Sequence, residues 1–237
     1  YGLSTYRQRK KLEDFNSDVN AVADFFGFER FAVLGWSGGG AFCLAYLACF
    51  PQRVTQAVIA GAPSLPFDPS SAHNMPLARY LMRVPYAGKV AIMQLSRQLQ
   101  RANGNASAFL STPQGKQLLQ GYTERDLEFL SDPHRLALVY QAMVEAFRQG
   151  NAGVNAVVEE HQIFLKPWNL PVPKIGDRKL WIWHGAQDLT CRVSNAYANA
   201  KLVPEANLEV FSEAGHCAVF ENLAALSQIL SLVDNEF

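Results

Sequence analysis

The sequence predicts an α/β fold, a parallel sheet flanked by helices, with a helical block inserted between the second and third recognisable strands. Three observations predict it. Strand-like segments at Phe31–Leu34 and Val54–Ala60 bracket an apolar helix, and short turns join them. That strand–helix–strand unit implies parallel pairing with a right-handed crossover. The same alternation resumes at Leu180–Trp183 and Leu208–Phe211, after a long stretch with helical periodicity and no convincing strand.

Taken in order, Tyr1-Gly2-Leu3-Ser4-Thr5 is a loop by composition. Leu12, Phe15, Val19, Val22 and Phe26 then recur at three- and four-residue steps, an amphipathic helix with Gly27 placed as its left-handed terminator. Phe31-Ala32-Val33-Leu34 is a continuous apolar run, as expected of a strand buried on both faces. A Gly-rich turn leads into an apolar helix over Ala41–Phe50, stopped by Pro51, and Val54–Ala60 is the second strand. Leu180–Trp183 is the third. A helix over Val193–Val203 follows, with Val193, Ala196, Tyr197 and Ala200 on one face. Leu208–Phe211 is the fourth strand, and a last helix carries Leu223, Leu226, Ile229 and Val233.

Residues 62–175 are read as a helical insertion over the sheet, too long for a loop; residues 1–61 and 176–237 form the core. Within the insertion Ile92, Leu95 and Leu99 share a face, Thr123 with Asp126 resembles a capping box, and Pro133 stands at a first helical turn. Leu136, Tyr140, Met143 and Phe147 continue the period to Gly150.

The chain has 237 residues, of which 49% are hydrophobic, enough for a sizeable core and too apolar for intrinsic disorder. Its 21 Lys and Arg balance 21 Asp and Glu, and the signs are interspersed. This is not the basic footprint of a nucleic-acid binder. No run is long enough to span a membrane. Cys43, Cys49, Cys191 and Cys217 show neither a C-x-x-C pair nor metal-ligand spacing, and read as small buried hydrophobes or free thiols of a reducing compartment. Glu159-Glu160-His161 is not a zinc motif, and Gly38-Gly39-Gly40 lacks the spacing of a phosphate-binding loop. No metal and no organic cofactor is expected. His73, His134 and His161 are assigned surface or core roles.

Chemistry concentrates at Gly35-Trp36-Ser37-Gly38-Gly39, between the first strand and its helix. A nucleophile on so sharp a turn needs small residues two positions to either side, and Gly35 and Gly39 supply them. The turn would present the Ser37 hydroxyl at the carboxyl edge of the sheet, beside a helix N-terminus. The Gly38 amide would donate to an oxyanion. A serine hydroxyl needs a base, and an imidazole serves best when a carboxylate fixes its tautomer. Asp188 follows the third strand and His216 the fourth, at the same sheet edge, in the chain order Ser, Asp, His. Asp68 is the alternative acid. Trp36 and Trp168 are expected either to line a substrate pocket or to pack beneath the insertion.

These segments, Gly35–Gly39, His184–Asp188 and Ala214–His216, resemble the α/β-hydrolase superfamily, in particular its helical-capped esterases, haloperoxidase-like and aminopeptidase-like enzymes. Tyr1-Gly2-Leu3-Ser4 is similar to a stretch preceding the nucleophile unit in many members, and Lys166-Pro167-Trp168 resembles the exit from a cap. The resemblance implies Ser37 as nucleophile, His216 as general base and Asp188 as its orienting acid. It also implies a second oxyanion donor from an upstream His-Gly loop. No such loop precedes Tyr1, and His184-Gly185 belongs to the segment carrying Asp188. Four early strands would need roughly 40–60 residues, so an incomplete chain is expected, doubtful in activity alone, with Phe31–Leu34 as an exposed apolar edge.

The expected activity is hydrolysis of a small, largely apolar carboxylic ester through an acyl-enzyme. The alternatives are an aminopeptidase-type amide hydrolase, using Glu145, Glu159 or Glu160 to hold a substrate ammonium, and a non-catalytic sensor or interaction protein. Dehalogenases and epoxide hydrolases are disfavoured because their nucleophile is Asp where this chain has Ser37. The expected partner is a small-molecule substrate; a homo-oligomer and a missing N-terminal segment stay open. The expected compartment is cytoplasmic, with an N-terminal signal also left open.

Overall fold

The computed structural model describes residues 1–64, 84, 86–166, 168, 170–171 and 179–231. Four parallel strands run in the order β1-β2-β3-β4: β1 Phe31–Trp36, β2 Val54–Ala60, β3 Lys179–Gly185 and β4 Asn207–Phe211. Each is the segment expected from sequence, extended by a residue or more except β2, which matches. Register brings Trp36 opposite Ala60, Ala60 opposite Trp183, and Gly185 opposite Phe211, so the carboxyl ends finish side by side. Helix α1 Asn16–Phe25 precedes β1, α2 Gly38–Cys49 and α9 Ser194–Leu202 lie between strands, and α10 Ala218–Glu221 and α11 Leu223–Ser231 follow β4.

Every residue of β2 is buried, as two-sided cover in a parallel sheet demands. Strand β1 is not. Leu34 is 45% exposed, because β1 ends the strand order and has no outer neighbour among the described residues. The amphipathic face read for the first helix is overturned for a related reason. Leu12 is buried in a 3₁₀ turn, Leu12–Phe15, which shifts the phase of the helix after it. Val22, Phe25 and Phe26 then lie exposed on α1. Gly27 does take the expected left-handed conformation, φ 71°. Arg53, at the start of β2, fixes that turn: it donates to the carbonyls of Phe28 and Glu29 and pairs with Asp24 at 2.7 Å.

Helix α9 departs from its apolar reading too. Tyr197 is exposed while Asn195 and Asn199 are buried. The Asn195 side chain accepts from the Ser64 amide at 3.0 Å, and Asn199 donates to the Pro63 carbonyl at 3.2 Å. The helix therefore uses amides to hold the loop leaving β2. On α11, Leu226 and Ile229 pack with Trp183, Val58 and Val219, whereas Leu223 is exposed and Val233 falls outside the described residues.

Contacts divide the chain into two compact units, Lys11–Ala72 with Pro167–Phe237, and Tyr1–Lys10 with His73–Lys166. The first ten residues thus belong with the helical unit rather than with the sheet, a difference from the expected boundary. Among its described residues that unit is helical, as expected: α3 Ala87–Arg101, α4 Ala106–Leu110, α5 Pro113–Leu119, α6 Glu124–Leu130, α7 Pro133–Ala146 and α8 Asn151–Phe164. Ile92, Leu99, Phe109, Tyr140, Phe147 and Val154 form its core, and the Tyr140 hydroxyl donates to the Leu99 carbonyl. Pro133 opens α7, and Gly150, φ 58°, separates α7 from α8. No helix among the described residues is long and apolar enough to cross a membrane.

The opening segment is tied to α8 by two phenols. The Tyr1 hydroxyl donates to Glu160, and the Tyr6 hydroxyl donates to Glu159 at 2.5 Å. Burial pushes the Glu160 carboxyl above the usual carboxylate range, against the pull of the Tyr1 bond. The bond to Glu159, with a contribution from burial, pushes the Tyr6 phenol up to about 12.

At α6 the expected capping box is present. The Thr123 hydroxyl accepts from the Asp126 amide at 3.1 Å, and the Asp126 carboxylate accepts from the Thr123 amide at 3.0 Å and hydroxyl at 2.9 Å. Asp126 is fully buried, so its partners are costly to remove. Thr123→Ala should lower stability by about 1–2 kcal/mol, read as a reduced denaturant midpoint.

Candidate active site

Ser37 sits between β1 and α2 with φ 54° and ψ −130°. Such a conformation costs a non-glycine residue roughly 1–3 kcal/mol and persists only where the surroundings impose it. Here the Ser37 amide donates to the Ala60 carbonyl at 2.8 Å, and the Ser37 carbonyl accepts from the Gly40 amide at 2.9 Å. Gly35 is required as expected: a Cβ there would lie 2.4 Å from the Gly39 carbonyl oxygen. The demand assigned to Gly39 falls instead on Gly40. A Cβ at Gly39 meets open space, while one at Gly40 would lie 2.3 Å from the Ala62 Cβ. Gly38 is the first residue of α2, where the helix supplies its N–H no acceptor.

The other two residues of the expected triad meet directly. His216 Nδ1 is 2.8 Å from Asp188 Oδ2, and both residues are buried. The second carboxylate oxygen, Oδ1, accepts from the amides of Thr190 and Cys191, each at 2.8 Å. A carboxylate so held fixes the imidazole tautomer, with the ring proton on Nδ1 and Nε2 left as the acceptor. The loops that carry the pair are bound to one another: the Ala186 amide donates to the Phe211 carbonyl and the Gln187 amide to the Ala214 carbonyl. Gly61, φ +53°, closes the group. A Cβ there would stand 3.2 Å from His216 Nδ1 and 3.3 Å from Asp188 Oδ2. Since Gly61 follows the residue that holds the Ser37 amide, elbow and dyad share one edge of the sheet.

The Trp36 indole donates its N–H to the His216 carbonyl at 2.9 Å and packs beside the imidazole, ring centres 5.0 Å apart. Its contacts are with His216 and Phe220, where sequence could only divide it between pocket and packing. Trp168 is buried. Asp68 and His73 lie outside the described residues; His134 and His161 are exposed. Among the described residues, no three His, Cys, Asp or Glu gather as metal ligands.

Sequence reasoning passed over Gly40, Gly61 and His184. Gly40 could have been suspected only as one of three consecutive glycines opening a helix, and Gly61 only as a glycine following a strand. His184 is buried, its Nε2 lying 2.7 Å from the Cys191 carbonyl oxygen and 3.4 Å from Asp188 Oδ2. Desolvation lowers its pKa, outweighing the Cys191 bond and the Asp188 charge. The folded protein therefore takes up a proton at His184 less readily than the unfolded chain does. Burial likewise pushes the Cys191 thiol far up and the Cys43 thiol up to about 12.

Gly39→Ala should be neutral or stabilising by up to about 1 kcal/mol, as for a glycine within a helix. Gly40→Ala should destabilise by about 1–3 kcal/mol through overpacking, the contrast being read by thermal melts. Stability should also fall as pH drops below about 6.5, where an unfolded histidine protonates and buried His184 does not. His184→Gln should flatten that slope in a series of urea titrations across pH.

A family model described as the alpha/beta hydrolase fold matches residues 2–223. A proline iminopeptidase of Xylella fastidiosa (strain 9a5c) is 26% identical over 221 residues, covering 86% of this chain and 67% of that protein. Among solved structures, a serine hydrolase from Cycloclasticus zankles superposes with a TM-score of 0.62 at 17% identity, covering 99% of this chain and 78% of the other. An esterase from Exiguobacterium antarcticum gives 0.59 at 20% identity, covering 96% and 75%. With the strand order, the strained turn after β1 and the matched span all agreeing, the chain belongs to the α/β-hydrolase family.

Proposed function

We propose that this protein is a serine hydrolase that cleaves small, largely apolar carboxylic esters through Ser37, His216 and Asp188. One observation carries the reading: the buried Asp188–His216 pair stands at the sheet edge where Ser37 is held in a strained turn. In the proposed cycle His216 Nε2 takes the Ser37 proton as Oγ bonds to the ester carbonyl carbon. The carbonyl electrons move onto oxygen, facing the Gly38 amide at the start of α2. The imidazolium then protonates the departing alkoxide as the carbon–oxygen bond breaks, leaving an acyl-serine. Water, deprotonated by the same imidazole, attacks that acyl group, and Ser37 regains its proton. Asp188 keeps its charge throughout and stabilises the imidazolium. No metal or organic cofactor takes part in this cycle.

The preference for uncharged substrates follows the balanced charge of the chain and the Leu, Met and Phe content of the helical unit. A proline iminopeptidase at 26% identity favours the second reading, amide hydrolysis behind a free amino terminus. Against it, two of the three carboxylates that could hold an ammonium are bound by the opening segment, Glu159 by Tyr6 and Glu160 by Tyr1. The third, Glu145, pairs with Arg148 at 2.9 Å. The four free cysteines are consistent with work in a reducing compartment, and we place the protein in the cytoplasm.

A fluorophosphonate should label Ser37 alone, as mapped by peptide mass spectrometry, and Ser37→Ala should abolish labelling. Turnover of p-nitrophenyl butyrate should exceed that of proline p-nitroanilide; the reverse order would select the amide reading. Asp188→Asn should cut kcat on the order of 10⁴-fold, by presenting the wrong tautomer of His216. A folded sample with no label at Ser37 and no turnover of either substrate would sink both.

A further inference from the structure

We infer that His184 is a positioning residue of this site, a neutral Nε2–H donor shared between the Cys191 carbonyl and the Asp188 carboxylate that holds the acid against His216. The inference deepens the serine-hydrolase reading and rests on it for its kinetic test.

His184 is the penultimate residue of β3, opposite Val210 of β4, and its side chain is 1% exposed. Its Nε2 lies 2.7 Å from the Cys191 carbonyl oxygen. A carbonyl can only accept, so the proton of the ring is on Nε2. The same nitrogen stands 3.4 Å from Asp188 Oδ2, the oxygen that faces His216 Nδ1. That is too long for a strong bond of its own and suits the weaker arm of a forked donor. The ring therefore spans the mouth of the acid loop, from the end of β3 to Cys191, with Asp188 midway between.

Asp188 is gripped at four points: the Thr190 and Cys191 amides on Oδ1, His216 and His184 on Oδ2. Among the described residues, the two histidines are the groups beyond its own loop that face it. Charge explains the choice of a neutral donor. A cationic partner at 3.4 Å would compete with the His216 imidazolium for the same oxygen. A neutral N–H orients the carboxylate without supplying that charge. The titratable groups around the ring are Asp188, His216 and the Cys191 thiol; burial holds the thiol protonated and lowers the basicity of His184.

Two variants separate positioning from packing. Glutamine places an amide N–H near the reach of imidazole Nε2; leucine keeps apolar bulk and loses the donor. His184→Leu should lower kcat for p-nitrophenyl butyrate roughly 10–100-fold with KM changed less than about threefold, while His184→Gln stays within about threefold of the native kcat. The low-field proton NMR resonance of the His216 Nδ1–H should be present in the native protein and in His184→Gln, and shifted upfield or lost in His184→Leu. Equal loss in both variants, or an unchanged resonance in His184→Leu, overturns the proposal. Should the leucine variant fail to fold, a folded His184→Gln that loses tenfold or more in kcat overturns it alone. The NMR measurement needs no turnover. A native protein unlabelled at Ser37 would end the hydrolase reading, and the resonance would still decide whether His184 holds Asp188.

Discussion

The close approach of Gly185 to the main chain of Ala214 and Gly215 is the contact on which the site depends. A Cβ at residue 185 would fall 2.1 Å from the Gly215 carbonyl oxygen. With no side chain between them, the loop after β3 lies against the loop after β4, and two amide bonds lock the pair. Asp188 and His216 then meet at 2.8 Å as a consequence of backbone packing. Gly61 and Gly35 act in the same way one and two strands along, the first making room for the dyad and the second allowing the elbow to turn. The chemistry is borne by side chains, and its precision by the absence of side chains beside them.

Much of this was legible in the sequence. Apolar runs and turn residues located the four strands among the described residues, and β2, buried throughout, carries the unbroken hydrophobic signature of a parallel strand covered on both faces. The sharp turn at Ser37 and the meeting of Asp188 with His216 were legible from the glycines about the serine and from an acid and an imidazole placed after β3 and β4. Less legible was everything that depends on which groups stand opposite. The periodic face of α1 is largely exposed, since a periodicity records an apolar stripe and not its partner. Asn195 and Asn199 are buried because loop amides and carbonyls happen to face them. Gly39 and Gly40 look alike in one dimension, and only three dimensions show which of them has Ala62 as a neighbour. His184 was read only as part of the segment carrying Asp188, and nothing in that segment signals that its ring turns back onto the carboxylate.

The opening segment obeys the same logic. Tyr1, Gly2, Ser4 and Tyr6 read as a loop, yet their hydrogen bonds go to α8 and to Gln149, more than 140 residues away in sequence. Nothing in local composition signals so distant a partner. The two phenol–carboxylate pairs take up part of the acceptor capacity of Glu159 and Glu160, and burial biases the Glu160 carboxyl towards the neutral acid, the form that holds an ammonium poorly.

Cys191 shows how such a site can evade side-chain mutagenesis. Its amide donates to Asp188 and its carbonyl accepts from His184, while its thiol is buried and chemically quiet. An alanine scan would register the loss of a small sulfur and pass on, since both contacts survive any substitution that keeps the backbone in place. Their weight could be measured by replacing the amide itself, as an ester linkage does. Residue 191 is thus constrained first through its main chain, its sulfur adding one contact accepted from the Asn195 side-chain amide at 3.4 Å.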